Sequence, residues 1–219
     1  MADGCLLVRS RRDGYGGTLP HDAIESKSWD GVNIKVESQG AQKRPDSIQR
    51  RVLDEVEVTD AVVIFDDDGS GEMADIIAIY EDDENVRFTL YHCKFSSEST
   101  PGCRVKDVYE VACQAQKSVK WASSASESIE HLERRERRRQ QSSGQTRFER
   151  GGVADLRRLQ TSLKSKNPSW EVVLVQPGLS RQQVIEDAPR PRAILRVLGA
   201  TQAYLSETFD MKLRVVVNL

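Results

Sequence analysis

The stretch that decides the fold is residues 72–95, "EMADIIAIYEDDENVRFTLYHCKF". Two strand-like apolar segments flank "EDDEN" (81–85), and so short a polar loop favours antiparallel pairing. Side chains alternate along a strand, which puts Val86, Phe88, Leu90, His92 and Lys94 on one face. By the same rule Asp75 shares a face with Ile77 and Ile79. The hairpin therefore predicts a carboxylate, an imidazole and an ammonium group meeting at one end of a sheet, where the apolar faces give way to a pocket.

Working outward, "AVVIFD" (61–66) is a third apolar strand, joined through the tight turn "DDGSG" to a second strand over 72–80, so the three form a meander. Before it, Asp46 or Ser47 can cap a helix running to about Glu57, with Ile48, Val52 and Val56 on one face and Glu55 pointing the same way. "VNIKVES" (32–38) alternates as a strand does, and residues 1–30 read as a loose lead-in. After the break "SSESTPG", a helix is predicted over 104–122 with Val105, Val108, Ala112, Ala115 and Val119 as its apolar stripe. A polar helix over 128–139, a flexible stretch at 140–145, a helix over 153–165, a strand over 170–178 stopped by Pro-Gly, a helix over 191–209 and a strand over 212–218 complete the chain. Trp121, Trp170 and Tyr204 fall on apolar faces and read as core. The sum is one α/β domain over 31–219, a central mixed β-sheet flanked by helices, with a motif core at 46–122 and a C-terminal extension at 151–219.

The 219 residues carry a formal net charge of −2, but the charges are segregated. Acids crowd into "FDDDGSGEMAD" (65–75) and "YEDDEN" (80–85); bases crowd into "VRSRR" (8–12), "QKRPDSIQRR" (42–51) and "ERRERRRQQ" (133–141). A basic surface beside an acidic pocket suits a protein that binds a polyanion and holds a metal. The four cysteines, Cys5, Cys93, Cys103 and Cys113, form no CxxC pair, and no apolar run approaches the roughly 18 residues of a membrane span. A reduced, soluble, cytoplasmic protein is the expectation. A zinc site from His92, Cys93, Cys103 and Cys113 would match none of the usual spacings.

Asp75 offers hard oxygen ligands to a divalent cation, and the backbone carbonyl of Cys93 could add another. A bound cation lowers the pKa of its water, and Lys94 beside it can stabilise an oxyanion. Those types together suit phosphodiester hydrolysis.

"GEMADIIAI" (71–79) followed by "HCK" (92–94) resembles the PD-(D/E)XK nuclease superfamily, and "GEMADIIA" is similar to the "GE(I/L)D" strand of several intracellular nucleases. The resemblance covers residues 46–122. It implies the restriction-endonuclease-like fold with helix–strand–strand–strand–helix–strand order, dependence on Mg²⁺ or Mn²⁺, and endonuclease action on DNA. Asp75 matches the motif Asp and Lys94 the motif Lys. His92 stands where the family has Asp or Glu; an imidazole ligates Mn²⁺ more readily than Mg²⁺, or serves as a general base. Alternatively Glu72, Asp68 or Glu55 supplies the carboxylate, since some members place an acid from the first helix at the metal. Gln114 matches the glutamine of a Q-x-x-x-Y subset, with Ser118 where the tyrosine would stand. The segments around "HCKFS" and "VLVQPGLS" are similar to nuclease-like domains attached to helicases in bacterial anti-phage or restriction systems. That implies a helicase domain or subunit as partner, and a homodimer stays open as an assembly.

Arg50 and Arg51 beside the first helix, with Arg135 and Arg138 in "LERRERRR" (132–139), are the expected phosphate contacts. No aromatic ladder interleaves these bases, which argues against stacking readout of single strands. The departure at His92 keeps a second class in view, a nuclease-fold module without chemistry that binds nucleic acid or mediates assembly.

Overall fold

The computed structural model describes residues 17–186 and 188–219. Cys5, the basic run 8–12 and the first part of the expected lead-in lie outside the described residues. β2 (Val63–Asp66), β3 (Ile76–Glu81) and β4 (Asn85–Cys93) form the antiparallel meander. β6 (Asn167–Ser180) runs parallel to β4 with Phe88 opposite Trp170, and β7 (Lys212–Asn218) runs parallel to β6. Two short strands absent from the sequence reading close the edges: β1 (Ile24–Lys27), parallel to β7, and β5 (Phe148–Arg150), antiparallel to β2. The seven strands run in the order β1-β7-β6-β4-β3-β2-β5.

Alternation fixes the two faces. Val86, Phe88 and Leu90 of β4, with Ile77 and Ile79 of β3, pack against α2 (Val105–Lys117), α4 (Ala125–Ser143), α5 (Val153–Ser162) and α7 (Pro189–Phe209). On the other face Ile76, Ala78, Cys93, Val173 and Val175 pack against Ile48, Val52, Leu53 and Val56 of α1 (Ile48–Val56). Each fully buried aliphatic contributes roughly 1.5–3 kcal/mol, so a one-residue slip of β4 would forfeit both layers. Short helices α3 (Val119–Ala122) and α6 (Arg181–Val184) and a 3-10 turn at His21–Ala23 complete the elements, and among the described residues no helix is long and apolar enough to cross a membrane.

Several expectations are corrected. "VNIKVES" is not a strand: the Asn33 side chain accepts from Lys35 N–H and its carbonyl from Val36 N–H, and the Ile34, Val36 and Glu37 carbonyls accept from Ser96, Ile48 and Gln49 N–H, so its backbone is satisfied without a neighbouring strand. The lead-in is ordered at Ile24–Lys27. The helix over 104–122 breaks at Ser118, whose N–H bonds the Ala115 carbonyl three residues back and whose hydroxyl leaves the helix for the Met73 carbonyl. β6 continues past Pro177 and Gly178 to Ser180 because its pairing with β7 shifts register after Gln176, which absorbs the proline. The stretch 140–145 is not loose: α4 runs to Ser143 and ends on Gly144 at φ 69°, a left-handed cap that glycine adopts freely. Trp170 is buried, but Trp121 is only half-buried and Tyr204 is 40% exposed.

The expected start of β3 at residue 72 is also wrong. Asp67, wholly buried, accepts from Met73 N–H at 2.7 Å and forms an ion pair with Arg135 of α4. Arg135 donates further to the carbonyls of Ser70 (2.7 Å) and Asp67 (2.5 Å). Gly69 (φ 113°) and Gly71 (φ 83°) let the chain turn back, so residues 67–75 form a folded loop and β3 begins at Ile76.

Two predictions follow from these anchors. Removing the guanidinium in Arg135→Ala leaves a buried carboxylate unpaired and should destabilise the fold by about 3 kcal/mol. Arg138→Ala, on the exposed side of α4, should change stability by less than about 0.5 kcal/mol; urea midpoints at constant slope test both. Separately, hydrogen bonds from Ser162, Arg158 and Lys166 hold Glu81 at a pKa of about 2, below its ordinary 4.5. A depressed carboxylate stabilises the fold above its unfolded pKa, and the contribution disappears as pH falls through the folded value. Glu81→Gln should therefore flatten the acid limb of stability between pH 4.5 and 2.

Candidate metal centre

Asp75 sits immediately before β3, and its N–H still pairs with the Tyr91 carbonyl at 3.0 Å. Its carboxylate accepts from Cys93 N–H (2.8 Å) and from the Gln49 side chain of α1 (3.1 Å). It is therefore clamped between the end of β4 and the first helix. The folded loop brings Asp68 and Glu72 to it, so that one ligand atom from each of the three carboxylates lies within 4.8 Å of the others. A divalent cation holding oxygens at roughly 2.0–2.6 Å spans opposed ligands about 4–5 Å apart, so three carboxylates this close could share one ion. Glu72 also accepts from Gly69 N–H at 2.7 Å, and Asp68 from the Ser38 hydroxyl.

Burial pushes the Asp75 pKa well above the ordinary carboxylate value; the Cys93 N–H opposes this, while Glu72, Glu37 and Asp68 add to it. Like charges crowd around a buried acid, an arrangement that a divalent cation relieves.

Lys94 lies one residue beyond β4, its N–H on the Val175 carbonyl at 3.0 Å. Its ammonium is 3.2 Å from both Glu37 and Glu110. Burial lowers the Lys94 pKa, but the two carboxylates outweigh it and the net shift is upward. Glu37 also accepts from Phe95 N–H at 3.0 Å, and its own carbonyl accepts from Gln49 N–H at 3.0 Å. Glu37 thus pairs with Lys94 through its side chain and, through its carbonyl, with Gln49, whose side-chain amide holds Asp75. Sequence reasoning missed it, because the stretch holding it reads as a plain strand.

The expected trio does not converge. The Asp75 carboxylate is bonded to Cys93 N–H and Gln49 while Lys94 pairs with Glu37 and Glu110, and the ring of His92 turns to the other face and lies 2.7 Å from the Ser118 hydroxyl between α2 and α3. Alternation requires this: Cys93 shares the α1 face, so His92 must share the α2 face. Burial lowers the His92 pKa to about 4, so the ring is neutral. Cys93 reaches Asp75 through its N–H, while its side chain is core. Glu55 pairs with Lys27 and Arg51 beside a cavity of about 350 Å³ under the far end of α1, away from the three clustered carboxylates. Gln114 lines a different hollow, with His92. Among the described residues, His92, Cys93, Cys103 and Cys113 form no such cluster.

The expected phosphate contacts are largely committed within the protein. Arg50, 12% exposed, pairs with Asp54, Glu57 and Glu149, and Arg51 pairs with Glu55. Arg135 is buried in the loop, and of these four arginines only Arg138 stands exposed with no partner among the described residues. The chain matches no family model, no curated protein and no solved structure.

Calorimetric titration with Mn²⁺ checks the centre. Asp75→Asn and Glu72→Gln should each weaken binding about tenfold or more, as loss of one charged ligand does. Glu55→Gln and His92→Ala should leave it within about twofold, since neither side chain reaches the cluster.

Proposed function

We propose that this chain is a metal-dependent nuclease of the PD-(D/E)XK kind that cuts DNA. The observation that carries the reading is the clustering of Asp68 and Glu72 on Asp75 at the end of β4, the strand after which Lys94 follows. Asp75 and Lys94 are the two positions that match the motif, and Asp68 with Glu72 offers the carboxylate that His92 lacks. The order α1, β2, β3, β4, α2 and later β6, with β6 parallel to β4, supports the same family.

A divalent cation bound by these carboxylates would lower the pKa of an attacking water and offset charge on the phosphodiester. The protein's own groups do the rest. Gln49 and the Cys93 amide hold Asp75 in one orientation, which keeps the ligand oxygens in place. Lys94, kept protonated by Glu37 and Glu110, acts as a fixed cation toward the phosphorane oxygens and not as a base. Hydroxide, its proton given up to solvent, would bond to phosphorus as the bond to the leaving sugar oxygen breaks and that oxygen takes a proton from solvent. Arg138 can contact a backbone phosphate without reading sequence.

One observation favours the rival, a module that keeps the fold without the chemistry: the motif's carboxylate position holds a neutral, buried histidine. Cleavage separates the two. Plasmid, single-stranded DNA and RNA incubated with Mg²⁺, with Mn²⁺ or with EDTA should show cutting of DNA only with metal. Lys94→Ala should cut at least about a hundredfold more slowly at saturating Mn²⁺. Undiminished cutting by that variant rejects the assignment, and saturable Mn²⁺ binding without any cutting supports the inert module.

A further inference from the structure

The folded loop at 67–75 ends in an exposed tip, Gly69, Ser70 and Gly71, whose carbonyls are all taken up inside the protein. Arg135 of α4 donates to the Ser70 carbonyl at 2.7 Å, His131 Nε2 of α4 lies 3.1 Å from the Gly71 carbonyl, and the Gly69 carbonyl accepts from Glu72 N–H at 3.1 Å. Each peptide unit is planar and trans, so the N–H that shares it points opposite to the carbonyl. Gly71 N–H therefore points away from the Arg135 guanidinium, and Ser70 N–H away from the Glu72 amide. Neither N–H has an acceptor among the described residues, and the Ser70 hydroxyl has no partner there either. The tip thus offers two successive amide donors, while the oxygens that would repel an anion are turned inward.

An exposed amide can bond to water, so free donors alone name no ligand. Their surroundings do. Lys117 at the end of α2 and Lys120 in α3 line the same hollow of about 340 Å³ as the three tip residues. Both lysines are exposed, and neither has a carboxylate partner among the described residues; Lys120 rests on the face of Trp121. Adjacent backbone amides bind oxyanions through their aligned dipoles, and ammonium groups add charge-assisted bonds. A phosphate has enough oxygens to meet both at once.

We propose that the Gly69–Gly71 tip, with Lys117 and Lys120, holds a backbone phosphate of the nucleic acid next to the phosphate that is cut. The inference rests on the reading that the chain acts on DNA, and it deepens that reading by naming the contact that lays the strand across the site. Glu72 joins the two places: it accepts from Gly69 N–H at 2.7 Å and is one of the three clustered carboxylates. A strand anchored at the tip is therefore beside the candidate metal centre, and the anchor reads no sequence.

Anisotropy of a short fluorescent DNA duplex, titrated with the full chain in EDTA over a series of salt concentrations, tests this apart from cleavage. Gly71 at φ 83° gives the Gly69–Glu72 turn the form of type II, whose second position favours proline. Ser70→Pro therefore removes the amide proton and the hydroxyl while its carbonyl still reaches Arg135. It should bind about tenfold more weakly at an unchanged urea midpoint, whereas Ser70→Ala, which keeps the N–H, should retain most of the affinity. Lys117→Gln and Lys120→Gln should each lower the slope of log K against log salt by about one. Arg87→Gln, exposed near the opposite end of β4, should change neither affinity nor slope. Full affinity in Ser70→Pro, unchanged slopes in both lysine variants, or no duplex binding by the unaltered chain overturns the proposal. If the chain cuts DNA while these variants bind as it does, the phosphate site falls and the nuclease stands. If the variants weaken binding as stated and no metal brings cutting, the site stands and the nuclease falls.

Discussion

The buried contact between Arg135 and the loop it enters sets where the acidic groups stand. Without it, residues 72–75 could extend β3 as their alternation suggests, and Glu72 would point away from Asp75. Asp67 is buried against Arg135 and Met73 N–H, and the guanidinium also collects the Ser70 carbonyl. The loop can then fold only one way, and that way turns Asp68 and Glu72 toward Asp75. An arginine from a helix that looks wholly solvated is thus what gathers the carboxylates.

The centre concentrates negative charge that the protein only partly offsets. Burial raises the Glu72 pKa and Arg135 lowers it, while the Lys94 ammonium is divided between Glu37 and Glu110. Glu37 raises the Asp75 pKa further, so it cannot serve as compensation there. Carboxylates crowded in this way contribute nothing to folding and tend to oppose it. Their persistence is understandable if a counter-charge arrives from outside, and the clamp on Asp75 keeps the cluster from relaxing by rotation in the meantime.

The meander and the long helices were legible because hydrophobic periodicity reports which face is buried, and here both faces of the sheet are. Asp75 and Lys94 were legible for a related reason: charged groups at the ends of apolar strands stand out. What escaped shares a physical cause. β1 has four residues and β5 three, and both are held by neighbours distant in sequence, so neither carries a period of its own. Glu37 belongs to a segment whose alternation mimics a strand while Asn33 turns its backbone inward. The loop at 67–75 did leave a trace, since two glycines within "DDGSGE" argue for a turn longer than a tight hairpin. Arg135 left none, because nothing in an arginine-rich helix says which guanidinium is buried.

The histidine at the motif position illustrates how strictly the strand constrains the chemistry. Residues 92 and 93 must leave β4 on opposite faces, and the α1 face already belongs to Cys93. A side chain at 92 reaches the layer of α2 whatever its identity, so a carboxylate there would also start from that side. The Asp75 carboxylate instead turns across the strand end to α1, drawn by Gln49 and by the Cys93 N–H that the sheet leaves free at that point. Two different environments therefore flank one strand end: carboxylates crowded on the α1 side, and a neutral imidazole held at Ser118 on the other. Glu72, one of the clustered carboxylates, also lines the hollow on the His92 side, so charge entering that hollow would change the field at the cluster.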